Sequence, residues 1–385
     1  MMLLNPAILY AVTWGGVLLL YSLRLSGLLE PLKSSTVLLV VGTAAAFLFG
    51  WLLESVTKRG RLATWKLDVD RLGQAVSSEG VARSIKAIWI VFALGIGFEI
   101  AYFRAIPLFG LIGIGPKIDY AEFGIHGLHG FINAMFFAAC VLTFTRGLFL
   151  RNVSKSWLWI LTFSYPVLLV TRQVLISLLL QYLLVYIGVR RPSPKVVLRV
   201  VFLGITALLV FGYLGDLRTG RDSILALGDP AFNYPDWLPS AFIWVYIYVC
   251  TPLNNVNNNI DIVPTYFPLQ TAGSMIPSFA RDQFLGSFGN TRQWDLVAES
   301  LNANSLLQSL LSDFGLEGAA IFSLICGYLF SRLLRRSSGS PGAFFAVIVV
   351  MHGIALSFFA NLLFQLVFIA EIGALLWAVA ERRRV

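Results

Sequence analysis

Arginine is the residue that stands out for chemistry. The strongly basic residues of the longest connection between apolar stretches are all arginine: Arg218, Arg221, Arg281 and Arg292. Arg172, at the tip of a tight turn between two other apolar stretches, adds a fifth, and Lys33 and Lys117 are the only lysines on that side. A guanidinium offers a planar fork that grips a phosphate through two parallel hydrogen bonds and keeps its charge. The set points to an anionic ligand. Each arginine also has a local explanation. Arg172 can snorkel from a helix end, and Arg218 and Arg221 can pair with Asp216 and Asp222.

Other groups could act beside them. Asn254, Asn255, Asn257, Asn258 and Asn259 follow Tyr246 and Tyr248. Amides give paired donors and acceptors, and aromatic faces stack on sugar rings. The same asparagines also suit turns. Asp119, Glu122, His126 and His129 would share one face if helical, as a metal site or proton relay. Gly124, Gly127 and Gly130 interleave them, and the spacing fits no metal signature. Asp313 and Glu317 stand at a predicted helix start, where carboxylates cap; Asp313 is also a candidate general base. His352, Asn361 and Gln365 lie in apolar stretches and are read as joining helices, as are Glu54 and Glu99 near helix ends.

The elements that must position these groups are transmembrane helices. The chain of 385 residues is 57% hydrophobic and only 13% charged, about half the charge of a soluble domain. Crossing the hydrocarbon core takes about 20 apolar residues. Ten stretches qualify: about 7–25, 35–56, 86–104, 127–146, 156–171, 172–189, 196–214, 314–333, 342–359 and 361–380. Five segments, Lys58–Lys86, Arg146–Lys155, Arg190–Arg199, Arg332–Arg336 and Arg382–Arg384, hold 20 of the 29 lysines and arginines. Short basic loops stay cytoplasmic. The fold predicted is thus an all-α polytopic membrane protein of about ten crossings, one domain over 1–385, with both termini cytoplasmic. Residues 57–86 form a solvated cytoplasmic loop on the headgroups, and about 215–305 a large loop on the outer side. Trp237–Thr251, short and aromatic, is expected to be an interfacial or re-entrant helix, because a crossing there would invert the later charges.

The net charge of +9 belongs to these cytoplasmic loops and does not indicate nucleic acid. Cys140, Cys250 and Cys326 are odd in number and sit in apolar surroundings, as small buried residues rather than a disulfide framework. The first apolar stretch is too long for a signal peptide and lacks a basic n-region. There is no HExxH, no phosphate-binding glycine loop and no nucleophile elbow.

Four pieces carry a resemblance: Thr171-Arg172-Gln173, Gly215-Asp216-Leu217-Arg218-Thr219-Gly220, Tyr248-Val249-Cys250-Thr251-Pro252-Leu253-Asn254-Asn255, and Asn304-Ser305-Leu306 through Asp313-Phe314-Gly315-Leu316-Glu317-Gly318. In this order, from about residue 85 onward, the chain resembles the Wzy-type oligosaccharide repeat-unit polymerases, or O-antigen polymerases. The resemblance implies a glycosyltransferase of the bacterial inner membrane, with its active site facing the periplasm. A glycan would pass from one undecaprenyl diphosphate to a sugar hydroxyl on another lipid-linked repeat unit, and a chain-length regulator is a candidate partner. Arg172, Arg218, Arg221, Arg281 and Arg292 would hold the diphosphate; Tyr248, Asn254, Asn255 and Asn304 would hold the sugar. No metal or other cofactor is needed if arginines neutralise the leaving group. The related O-antigen ligases carry a histidine where this chain reads Asn302-Ala303-Asn304, which favours polymerase. For the base the candidates are Asp313, then Asp216, then His126, against a mechanism in which an Asn or Arg merely aligns the hydroxyl. A transporter or flippase of lipid-linked sugars is the alternative from another class.

Overall fold

The structure, a computed structural model, describes residues 5–57, 63, 65–118, 122–150, 156–190, 193, 195–196, 198–199, 202, 204, 206, 220–277, 280–281 and 294–380. Among these the chain is helical, with a single isolated bridge between Ser26 and Pro230. Its helices are α1 (Pro6–Ser22), α2 (Ser34–Thr57), α3 (Val69–Ser77), α4 (Glu79–Phe103), α5 (Pro107–Leu111), α6 (Leu128–Phe149), α7 (Ser156–Leu168), α8 (Arg172–Arg190), α9 (Arg221–Gly228), α10 (Ala241–Asn258), α11 (Leu269–Ala272), α12 (Leu306–Ser337), α13 (Pro341–Ala355) and α14 (Leu366–Ala380). The described residues between 195 and 206 are also helical.

Among the described residues, five stretches are long and apolar enough to cross a membrane: Ser34–Thr57, Glu79–Leu111, Leu128–Phe149, Arg172–Arg190 and Leu306–Ser337. Four shorter apolar helices accompany them. The molecule's outside is oily. Leu38 on α2, Leu94 on α4, Ile160 on α7 and Ile321 on α12 are each more than 60% exposed. Apolar surface on this scale suits lipid rather than water. The chain is therefore of the helical membrane-protein class.

Its interior has two centres. α6 and α13 are buried nearly all round, α13 from Gly342 to Ile354 without interruption. Around α6 pack α4, α8 and α14; around the pairing of α2 with α12 pack α1 and α10. Glycine sets the second pairing. A Cβ on Gly50 would strike the Leu324 carbonyl, and one on Gly327 the Phe47 carbonyl. Small residues at this seam let the two backbones touch, which dispersion rewards where lipid offers no hydrophobic drive.

Hydrogen bonds at the helix ends fix direction. At one end Arg335 forks onto Glu54 (Nε–Oε1 2.8 Å, Nη2–Oε2 2.6 Å). Arg146 donates there to the Val76 and Ser78 carbonyls, Arg190 to the Leu148 carbonyl, and the Asp68 amide to Ser338. The C-terminal ends of α2, α6, α8 and α12 thus meet, and most of the described basic residues gather with them. Their N-terminal ends meet at the opposite face.

Several expected boundaries move. α12 starts at Leu306, capped by Ser305, but its backbone breaks at Gly315, so its second half begins close to the expected 314. The expected stretches 342–359 and 361–380 draw apart into α13 and α14, and 356–365 is irregular between them, so Asn361 and Gln365 lie on a connector rather than in a helix. The aromatic stretch 237–251 becomes α10, running on through Pro252 to Asn258. The 57–86 loop is not simply solvated. Trp65 and Leu67 are buried, Ala63 accepts from Asn5 and Trp51, and α3 packs Leu72 and Val76 inward after an Asp68 cap. The stretch 196–214 lies mostly outside the described residues.

Candidate functional site

α12 is two helices in line. At Gly315 the backbone takes φ 68° and ψ −169°, a region open essentially to glycine alone. The first half, Leu306–Phe314, is buried yet polar: Gln308, Ser309, Ser312 and Asp313 are at most 2% exposed. Such a half-helix is tolerated at depth only where protein or a polar cavity surrounds it.

That cavity exists. About 320 Å³ opens between Gln173, Leu269, Gln270, Ser274, Arg281, Ala303, Asn304, Phe359, Ala360, Asn361 and Gln365. Its walls come from the start of α8, from α11 and the turn after it, from the residues before α12, and from the α13–α14 connector. Three helix N-termini, at Arg172, Leu306 and Leu366, therefore adjoin it. Each carries roughly half a positive elementary charge and free amide donors. Arg281 adds a full charge, and no Asp or Glu is among the lining residues. Nearby, Asn361 Oδ1, Ser357 Oγ, Gln308 Oε1 and Ser312 Oγ are buried without a protein partner. The arrangement can hold an anion with polar substituents and would repel a cation.

Asp313 stands behind this wall and does not line it. Its Oδ1 accepts from the Gln270 amide (2.9 Å) and its Oδ2 from the Thr271 amide (2.6 Å). It is eight residues into α12, so it caps α11 rather than its own helix. Asn361 Nδ2 reaches the same segment, donating to the Thr271 carbonyl at 3.1 Å. Its own amide donates to Asn304 (3.0 Å), and that of Leu306 to Ser357 (2.9 Å). These links fasten three irregular segments around the cavity.

The other expected residues divide. Arg281 and Asn304 line the cavity, and Arg172 is exposed next to Gln173. Tyr248 stacks on the lining residue Phe359, centroids 6.1 Å apart. Arg221 is placed elsewhere: it donates to the Pro235 and Leu238 carbonyls and pairs with Asp236 (3.2 Å). Asn254 and Asn255 are buried, with their amides engaged by protein. Asn254 Oδ1 accepts from the Glu30 amide (2.9 Å) and from the Tyr21 hydroxyl; Asn255 holds Leu301 and Val297. Asn257 clasps Lys33, Thr36 and Pro31 in the same way. The asparagines form neither turns nor an open face, because four of the five sit within α10. Burial raises the Tyr246 phenol and the Cys250 thiol on this helix to about 12, so both stay neutral.

Glu122 and His126 are exposed in the turn before α6, so the expected shared helical face does not form. His129 instead meets the buried Glu99 at 2.7 Å, and Glu99 also accepts from the Ile125 amide. No metal-holding cluster occurs among the described residues. Asp119, Asp216, Arg218 and Arg292 lie outside them. Gln270 is a cavity residue that the sequence did not single out, and Asn361 and Gln365, read as joining helices, line the cavity with Gln173; neutral amides carry no topological signal. Arg24 and Arg104 were also passed over. Both take left-handed conformations, Arg104 as the C-cap of α4.

No protein-family model, curated protein or solved structure matches the chain.

Proposed function

We propose that the chain polymerises undecaprenyl-diphosphate-linked oligosaccharide units at the outer face of a bacterial inner membrane, with ten crossings and both termini cytoplasmic. The observation that carries this reading is the cavity at three helix N-termini, lined among the described residues by Arg281 and five amide side chains, Gln173, Gln270, Asn304, Asn361 and Gln365, and by no acid. A diphosphate leaving group is stabilised by such preorganised donors without a metal. Amide side chains match sugar hydroxyls in both directions. All the lining residues come from connections that the charge pattern assigns to the outside. Asp313 acts in this reading by holding α11 and, through it, Gln270. The base candidates Asp216 and His126 and the arginines Arg218 and Arg292 are proposals for the same reaction.

The test is to give purified protein a lipid-linked repeat unit and resolve the products. A ladder of glycans is expected, and Arg281→Lys, which keeps charge but loses the fork, should slow it about tenfold or more. Single addition to a lipid A core would indicate a ligase. One observation favours a second reading, a transporter or flippase of the same lipid-linked sugar. The break at Gly315 interrupts a helix, as transporters do around their substrate. Movement of the lipid across vesicles without bond formation would establish it instead.

A further inference from the structure

A second polar cluster lies deeper, on α8, which walls the cavity, and on α13 and α14, whose connector does. Gln181 of α8, His352 of α13 and Glu371 of α14 are each 0% exposed. Gln181 Nε2 lies 3.3 Å from His352 Nδ1 and 3.2 Å from Glu371 Oε2. Gln181 Oε1, His352 Nε2 and Glu371 Oε1 have no partner among the described residues. On α8 the cluster is eight residues past Gln173, about 12 Å along the axis; on α14 it is six past Gln365, about 9 Å. α13 leads from His352 into the connector that supplies Phe359, Ala360 and Asn361.

The amide dictates protonation. One Nε2 that donates to both neighbours needs Nδ1 and Oε2 bare. The imidazole then carries its hydrogen on Nε2, and any acid proton sits on Oε1. With the amide turned over, its oxygen faces Oε2 and requires the proton there. Among the described residues, no cation pairs with Glu371, whose hydrogen bond is to Gln181. The titratable groups around it are His352, Cys140 of α6 and Tyr182 of α8, while Glu99 of α4 is held by His129. An unpaired charge in a dry bundle is strongly disfavoured, and a neutral acid avoids that penalty.

We propose that Gln181, His352 and Glu371 form a proton-binding site inside the bundle, Glu371 carrying the proton at neutral pH, two turns or so beneath the cavity. The binding step is simple: the Glu371 carboxylate plus H⁺ gives the acid, with no other bond changed. This does not rest on which substrate the cavity takes.

Infrared spectroscopy of the purified full-length protein in lipid nanodiscs tests it. At neutral pH a protonated-carboxyl stretch is expected that shifts in deuterated buffer once the bundle exchanges. Glu371→Gln should lose this band, whereas Asp313→Asn and Glu99→Gln retain it. Because glutamine mimics a neutral acid, Glu371→Gln should insert and unfold as the wild type does. Absence of the band from wild type, or its survival in Glu371→Gln, would overturn the proposal. So would failure of Glu371→Gln to fold where Gln181→Glu, with a second acid added, folds normally, because the site would then require a charge.

Discussion

Asp313 illustrates how one side chain serves a site it does not enter. Its two oxygens satisfy two amides of α11 that have no other acceptor in view. Replacing it by Asn keeps one acceptor and turns an NH₂ toward the other amide. We expect Asp313→Asn to lower stability by about 1–3 kcal/mol, the usual cost of a buried group left unsatisfied, with turnover falling through a displaced Gln270. Thermal unfolding beside a turnover assay checks this. Wild-type unfolding with turnover reduced roughly a hundredfold would instead make Asp313 a chemical base. The residue was visible in the sequence as a candidate, but its partners, 42 and 43 positions away, were not. The same limit governs Glu54. Alone it reads as a polar residue near a helix end; in the fold it is half of a fork with Arg335. Arg335→Met should cost roughly 2–3 kcal/mol, less than a fully buried pair because the arginine is 29% exposed. Glu54→Gln added to it should restore much of the loss, read as a double-mutant cycle.

Among the elements, α12 and α10 depart most from what hydropathy suggests. A window over residues 306–337 sees Leu-rich sequence and a polar patch, and places the helix start after the patch. The backbone adds a short helix over the patch, from Leu306, and breaks at Gly315 just before the stretch that hydropathy marks. Gly315→Ala should strain the break by about 1–3 kcal/mol and press its Cβ on Pro264 Cγ, 3.3 Å away. Gly327→Leu is expected to be worse, at about 3 kcal/mol or more, since the Phe47 carbonyl cannot retreat. Detergent unfolding of the two variants should rank them in that order; equal, small losses would mean that the α2–α12 seam is not close-packed. The asparagines of α10 were legible as special but not as clamps, because an amide that holds a distant loop looks identical in sequence to one that makes a turn or meets a sugar.

For the whole molecule, hydropathy and charge were enough to anticipate an all-helical membrane bundle, because both act through the solvent and need no partner. The cavity was beyond them, since it is made where helix ends and connectors distant in sequence meet. Arg281 and Asn304 were anticipated there, while Gln173, Gln270, Asn361 and Gln365 were not. Reporter fusions at Gly228 and Gly289 should mark one side of the membrane and a fusion at Gly339 the other. Gly228 and Gly289 on opposite sides would make α10 a crossing and reverse the end at which the cavity opens. The fork between Glu54 and Arg335 also has a consequence for biogenesis. The two residues are 281 positions apart, so at about 5–20 residues per second the ribosome needs roughly 15–55 s to deliver the second after the first. Throughout that interval α2 must wait in the translocon or the bilayer with an orphan carboxyl. A nascent chain stalled before residue 335 should therefore be handed to a chaperone or insertase through α2, and Glu54→Gln should release it from that delay.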